Sequence, residues 1–439
     1  MPSKKKNMRR TSHIRKGRET KEEHSTGELY LHGLAGIVGL GILVIPAIIA
    51  AVYGAFSVYL VIASGFIALM VGVLIYDISL THDRDPYNFL KDTSGKEYSF
   101  IFGFLMTITF IIIVVAAGIA SVEELSLYFG LSIYDAIGIV DLAFLVMWGL
   151  LIYRHERTTM NIAGGVKILF LALLIAVGVG SVLAYGTNII SASQTSSSSA
   201  YSFIPIATSI ILFLWMYGGF ESVSMVYKGE DRSKVARALI YVMFSVIVLF
   251  AIVQLLVYLL GGNALNQTLS VVSEFTSNII SGRIGGLAQN LIVGLSIFVI
   301  LTVAFSVANS ANNTLDNMAK DKIMPKFLIG NPNLKSLISI VVPLVLVTVF
   351  SYPITSSQYS PFEYISIVVL SAIVFVSAFV FFSVGYAVHY ASKKKYSRML
   401  FGVALTIILL AFILTMPWPF LLGLIIIMLV ALLGYALLK

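Results

Sequence analysis

The sequence predicts an all-α integral membrane protein of about twelve transmembrane helices, built as a five-plus-five inverted repeat in which helices 1 and 6 are discontinuous. Three observations carry this expectation. The chain is too apolar and too poor in charge for a water-soluble core. Its basic residues sort into alternate loops. Two glycine-broken spans, the first and the sixth, occupy corresponding places in two halves.

Of the 439 residues, 58% are hydrophobic and 11% charged, and the mean hydropathy is +0.95. A soluble chain carries about a quarter charged residues, so the bilayer is the natural solvent here. The absence of cysteine excludes disulfides, thiolate metal sites and cysteine nucleophiles. The net charge of +8 would suit nucleic acid or anionic lipid, but its distribution speaks for topology instead, and no nucleic-acid partner is expected. No A-x-A-like cleavage site follows the first apolar stretch, so that span is expected to remain as an anchor.

Stretches able to cross about 30 Å of hydrocarbon lie near 29–52, 54–77, 98–122, 133–153, 160–185, 201–227, 235–261, 285–309, 336–353, 362–391, 397–416 and 418–438. The tenth is overlong and is expected to tilt or to project from the membrane. The tail before the first span is basic (Lys4, Lys5, Lys6, Arg9, Arg10). So are the second loop (Arg84, Lys91, Lys96), the fourth (Arg154, Arg157) and the sixth (Lys228, Arg232, Lys234, Arg237). The eighth (Lys320, Lys322, Lys326, Lys335) and the tenth (Lys393, Lys394, Lys395, Arg398) continue the series, while the odd loops hold only Arg283. By the positive-inside rule this gives a multi-pass protein of the plasma (cell) membrane with both termini cytoplasmic.

The expected organisation is a basic cytoplasmic tail over residues 1–28, a transport core over 29–391 with repeats at about 29–185 and 201–391, and accessory spans 11 and 12 over 392–439. The serine-rich stretch 191–202 and the mixed stretch 267–281 fall in outer loops. Asn266 heads a glycosylation sequon, a triplet that also arises often by chance.

The first span contains Ile37-Val38-Gly39-Leu40-Gly41-Ile42, followed by Pro46, and the sixth contains Trp215-Met216-Tyr217-Gly218-Gly219-Phe220-Glu221. Close glycines destabilise a helix interior and release backbone groups. In a membrane such groups are tolerated only where they line a cavity or are buried in protein. Either glycine pair alone reads first as a close-packing position between helices. Together, at the first spans of two five-span units, they point to a binding site.

These residues resemble a known family. Gly39-Leu40-Gly41-Ile42 is similar to the G-x-G-I element of the first helix in the amino acid–polyamine–organocation (APC) superfamily. Tyr217-Gly218-Gly219-Phe220-Glu221 resembles its aromatic-x-G-F-E element in helix six. Pro86-Tyr87-Asn88, with Gly95-Lys96 and Phe102-Gly103-Phe104, resembles the segment between helices two and three. The stretch Asn313 to Phe327 is similar to the loop after helix eight. The resemblance implies a leucine-transporter-like fold. It implies that N–H groups of Gly39, Leu40 and Gly41 meet a substrate carboxylate, and that carbonyls of Ile37, Trp215 and Gly218 meet its ammonium. Val38, Ile42, Tyr217 and Gly219 belong to the same substrate-binding stretches, and Trp215 matches an aromatic outer gate. Many relatives carry a small residue between the two glycines where this chain has Leu40, which leaves substrate identity open.

Two charges fall inside spans. Lys167 sits roughly two turns into the fifth, where an uncompensated lysine costs about 2.5–3.5 kcal/mol if central and less if it snorkels to the interface. The resemblance favours the other reading, in which its ammonium stands where sodium-coupled relatives bind a cation and serves ion coupling. Glu221, just after the sixth-span break, reads as an acceptor for unwound backbone, as a proton site, or as a partner for a substrate cation. Asp77 is expected at an interface, and Glu123, Glu124, Asp135, Asp141 and Glu363 are expected to be solvated. The histidines are scattered, and no H-E-x-x-H, P-loop or paired-carboxylate motif is present. No enzyme, metal or cofactor is therefore expected.

The leading expectation is a secondary transporter moving amino acids by alternating access, coupled to protons through Lys167 or Glu221. Its partners are the small-molecule substrate (amino acid or amine), protons and the lipid bilayer. The alternatives are a polyamine or amine transporter, an amino acid exchanger, or, from another class, a non-transporting membrane sensor.

Overall fold

In hydrocarbon, backbone N–H and C=O groups find no water, so an apolar chain of this kind satisfies them within helices. The computed structural model describes residues 25–82, 84–153, 156–187, 203–226, 231–260, 286–324, 332–355 and 361–438, and among these there are helices and no strand. In chain order they are α1 Thr26–Ile37, α2 Leu40–Tyr53, α3 Phe56–His82, α4 Pro86–Ser94, α5 Lys96–Phe129, α6 Ile133–Ile152, α7 Glu156–Tyr185 and α8 Phe203–Met216. There follow α9 Ser222–Val226, α10 Arg232–Leu260, α11 Gly286–Lys320, α12 Pro332–Thr355, α13 Pro361–Ser392, α14 Tyr396–Leu414 and α15 Trp418–Leu438. Among the described residues ten helices are long and apolar enough to cross a bilayer, and α1 with α2, bent by 51° at their break, together have the length and hydropathy of one more. The first 24 residues of the basic tail, the serine-rich stretch, Asn266, residues 267–281, Arg154, Lys228, Arg283 and Lys326 lie outside the described residues.

Local chemistry sets the ends of several helices. Ser25 and Glu28 form a reciprocal cap at the start of α1: the Glu28 N–H donates to Ser25 Oγ at 3.1 Å and the Ser25 N–H to Glu28 Oε2 at 2.9 Å. Asp85 caps α4 by accepting from the Asn88 N–H at 2.9 Å, with Pro86 in the first turn, where a missing N–H costs nothing. Pro46 lies inside α2, and its carbonyl accepts from Gln254 Nε2 of α10 at 3.1 Å.

The spans pack around α5, which lies against α11, α12 and α13. α3 runs beside α10, α6 beside α12, and α1 is held between α7 and α10. The α1–α7 crossing is close because Gly164 of α7 sits on the backbone of Leu31, where a Cβ would overlap its carbonyl oxygen. The next residue, Gly165, faces open space. α15 packs against α5 and α13 and leaves Ile425, Leu429 and Leu433 exposed, as suits a lipid-facing helix.

At one end of the bundle, polar side chains tie the helices together. α4 docks on the end of α11: Tyr87 Oη donates to Asp321 Oδ2 at 3.0 Å, and Lys91 Nζ pairs with Asp321 Oδ1 at 2.9 Å. Burial and the adjacent Asp321 carboxylate hold the Tyr87 hydroxyl well above the usual phenol range. Asp77 of α3 accepts from Tyr386 and Tyr390 of α13 at 2.8 and 2.9 Å and pairs with Arg398 of α14 at 2.8 Å. Beside it, His82 and His389 meet through their Nε2 atoms at 3.1 Å.

Asp77, expected at an interface, also ties α13 and α14 to α3. Two other expectations need correction. Glu124 is 6% exposed and not solvated, because its side of α5 faces the bundle. The stretch from Asn313 is helical to Lys320 and not loop. The helix outlasts the apolar run, and within it Asn313 Nδ2 and Thr314 Oγ1 bond back to the carbonyls of Asn309 and Ser310.

The two adjacent glycines of α7 make a test of the packing. Gly164→Ala is expected to lower stability by about 1–3 kcal/mol through overpacking, whereas Gly165→Ala stays within about 0.5 kcal/mol of the parent. Thermal unfolding of the two purified variants reads the difference directly.

Candidate functional site

The two breaks meet in the interior. α1 stops at Ile37, Val38 and Gly39 are extended, and α2 begins at Leu40. At the second break α8 stops at Met216, residues 217–221 form a turn, and α9 begins at Ser222. Gly36 of α1 faces Gly219: a Cβ on Gly36 would stand 2.7 Å from the Gly219 oxygen, and a Cβ on Gly219 would overlap the Gly36 oxygen. Gly219 has φ +107°, a conformation that favours glycine for its backbone as well as for its size.

The other glycines of the first break also admit neighbours. A Cβ on Gly39 would overlap the Val303 side chain of α11, and one on Gly41 would lie 2.8 Å from Met216 Cα. Gly41 and Ile42 are already helical, so the unwound segment is shorter than the motif suggests. Ile37, Val38, Gly39, Leu40, Gly41 and Ile42 are all buried. The first N–H groups of α2 have no intrahelical partner, and Gly39 offers no side chain to cap them. The positive end of α2 therefore stands a few residues from the negative end of α1. Such an arrangement suits a carboxylate on one side and an ammonium on the other.

Side chains hold the sixth break in place. Both carboxylate oxygens of the fully buried Glu221 accept from the Gly219 N–H, at 3.2 and 3.0 Å. Tyr217 is buried and donates its hydroxyl to the Val61 carbonyl of α3 at 3.0 Å, with its ring 5.2 Å from that of Phe250. Trp215 Nε1 donates to Ser371 Oγ of α13 at 2.9 Å. The Trp215 carbonyl, expected to face a substrate ammonium, already accepts from the Gly218 N–H at 2.9 Å. Gly218 is partly accessible, and Gly219 is buried.

Lys167 lies at the foot of the first break. Its side chain is fully buried, and Nζ donates to the Ala35 carbonyl in the last turn of α1. The side chain does not reach an aqueous face, and among the described residues no carboxylate pairs with it. Ala35, Gly36, Ser371 and Val61 were not legible as site residues. For Gly36 a signal existed, because Gly33, Gly36 and Gly39 recur every three residues along α1 and leave one side of it smooth.

Residues 29–436 match the amino acid permease family, which is nearly the whole chain and takes in both breaks. The chain belongs to that family. This permease is a multi-pass membrane transporter by descent and by fold. Among solved structures it is similar to a point mutant of the Eremococcus coleocola manganese transporter, with a TM-score of 0.57 and 12% identity over 94% of this chain and 95% of that one. The likeness is one of fold. No curated protein matches the permease in sequence.

The role of Glu221 as backbone acceptor is open to test. Glu221→Ala leaves the Gly219 N–H buried without its acceptor and is expected to cost about 1–3 kcal/mol. Glu221→Gln keeps an acceptor oxygen and should retain most of that stability. Melting temperatures of the two purified variants separate a need for an acceptor from a need for the charge.

Proposed function

We propose that the protein is a secondary active transporter of amino acids in the plasma membrane, working by alternating access and coupled to protons. In this reading it crosses the membrane twelve times, with both termini cytoplasmic. α1 with α2 counts as span one and α8 with α9 as span six. Spans one to ten, residues 29–391, form the moving core as two inverted repeats, and residues 392–439 add two peripheral spans. The substrate carboxylate lies on the free N–H groups at the start of α2, around Gly39, Leu40 and Gly41. Its ammonium faces the carbonyl ends of α1 and α8 near Ile37, Trp215 and Gly218. Trp215 closes the site from outside when its bond to Ser371 forms.

The observation that carries the coupling is the bond from Lys167 to Ala35. A buried ammonium needs an acceptor. The one it has belongs to α1, the helix that must swing for the site to open inward. When α1 moves, Lys167 loses its partner, so the charge on Lys167 and the position of α1 are linked. A proton lost from Lys167 in one conformation and regained in the other gives transport driven by a pH gradient. A lysine built into this place also removes the need for sodium.

Lys167→Ala in proteoliposomes is therefore expected to abolish pH-gradient-driven accumulation, whether or not exchange survives. Lys167→Arg is expected to fail as well, because guanidinium stays charged at any working pH. Wild-type uptake should proceed unchanged in sodium-free buffer. Sodium-dependent uptake, or accumulation retained by Lys167→Ala, overturns the coupling scheme.

A further inference from the structure

At the end of the bundle where Asp77 and Asp321 gather their partners, the last turn of α3 meets the last turn of α13 through two imidazoles. His82 Nε2 and His389 Nε2 are 3.1 Å apart, and the rings stand edge-on with their centroids 5.0 Å apart. Both residues are half-buried, so protons from solution reach them.

The hydrogen bonds around the pair fix where its protons sit. Thr81 Oγ1 lies 2.6 Å from the Asp77 carbonyl oxygen, which can only accept, so the Thr81 proton is spent there. The Tyr390 hydroxyl proton is spent on Asp77 Oδ2. The 2.8 Å contact of Thr81 Oγ1 with His82 Nδ1 therefore takes its proton from His82 Nδ1. A neutral imidazole protonated at Nδ1 has a bare Nε2. That nitrogen accepts, and His389 Nε2–H is the donor.

Charges reach the pair from several elements. α3 brings Asp77, already paired with Arg398 of α14. Lys393 and Lys395, between α13 and α14, act on both imidazoles, and Arg398 acts on His82. Tyr386 and Tyr390 of α13 turn their hydroxyls to Asp77. α4 presents the Phe89 ring, 5.1 and 5.4 Å from the two imidazoles. The charges near α4 are spent elsewhere: Asp85 on the α4 cap, Lys91 on Asp321 and Asp92 on Arg84.

We propose that His82 and His389 form a latch between α3 and α13 that acid releases. The bond survives one added proton, because His389 can take it at Nδ1 and still donate from Nε2. It does not survive the second. That proton goes to His82 Nε2, and two donors then face each other across 3.1 Å. Two imidazolium charges also stand beside Lys393, Lys395 and Arg398, with Asp77 opposing them. Histidine changes charge between about pH 5 and pH 8, so the latch is closed on the alkaline side of that range and open on the acid side. Under the topology proposed above this end is cytoplasmic, and the latch answers to acid inside the cell. That last step rests on the transporter reading, whereas the latch itself does not.

The full-length protein contains no cysteine, so a pair of introduced cysteines carries spin labels without background. Leu80→Cys on α3 and Val388→Cys on α13 put the labels at exposed positions beside the two histidines. At about pH 8 paramagnetic resonance is expected to show a short interlabel distance, replaced by a longer one at about pH 5. His82→Gln and His389→Gln, added singly to this background, supply both a donor and an acceptor and do not titrate. Each is expected to keep the short distance at both pH values, and His82→Ala to lose it at both. An unchanged distance in the parent, or a pH response that persists in both glutamine variants, overturns the latch. If the purified protein moves no substrate in proteoliposomes, the transporter reading fails, and the distance measurement still decides the latch.

Discussion

The contact of Gly36 with Gly219 is the constraint on which the site depends. Two helices can come close enough to touch backbone to backbone only where neither carries a Cβ, and the breaks become one site only because they touch. If either glycine gained a side chain, the unwound segments would move apart. The positive end of α2 would then no longer stand beside the carbonyl ends of α1 and α8. The backbone polarity at the two breaks is therefore brought together by packing, and packing is permitted by the absence of two methyl groups.

Broken backbone in a membrane must be satisfied by the protein itself, and each break is answered locally. Glu221 reaches back two residues to the Gly219 N–H. Tyr217 and Trp215 spend their polar atoms on α3 and α13, which fixes the turn from both sides. Lys167 attends to the last turn of α1 from a neighbouring helix. These bonds differ in one respect that bears on motion. The Glu221 bond lies within a single turn and can travel with it. The bonds of Lys167, Trp215 and Tyr217 cross between helices, so any rearrangement of those helices relative to one another would strain or break them. Bonds of the second kind are the ones able to report the state of the transporter.

The charged end of the bundle contrasts with its centre, where ionisable side chains are few. Asp321 gathers Tyr87 and Lys91, and Asp77 gathers Tyr386, Tyr390 and Arg398, in each case from helices distant in sequence. With few charges in the whole chain, a concentration of them at one end secures the helices there. The contact of His82 with His389 lies in this same region and joins α3 to α13.

The sequence by itself determined the class of the molecule. Hydropathy leaves a chain with this little charge no solvent but lipid, and span length follows from bilayer thickness. It also marked the two breaks, because a glycine pair inside an apolar run is a local property of the chain. Where the helices end was less legible: α11 runs on to Lys320, beyond the end of the apolar run. The partners were not legible at all. Nothing near Lys167 in sequence names Ala35, nothing near Trp215 names Ser371, and Asp77 lies 309 residues from Tyr386. Such pairs depend on which helix lies against which and at what rotation. That is set by the fit of small residues such as Gly36, Gly164 and Gly219 into neighbouring backbones, and so only the tertiary structure decides it.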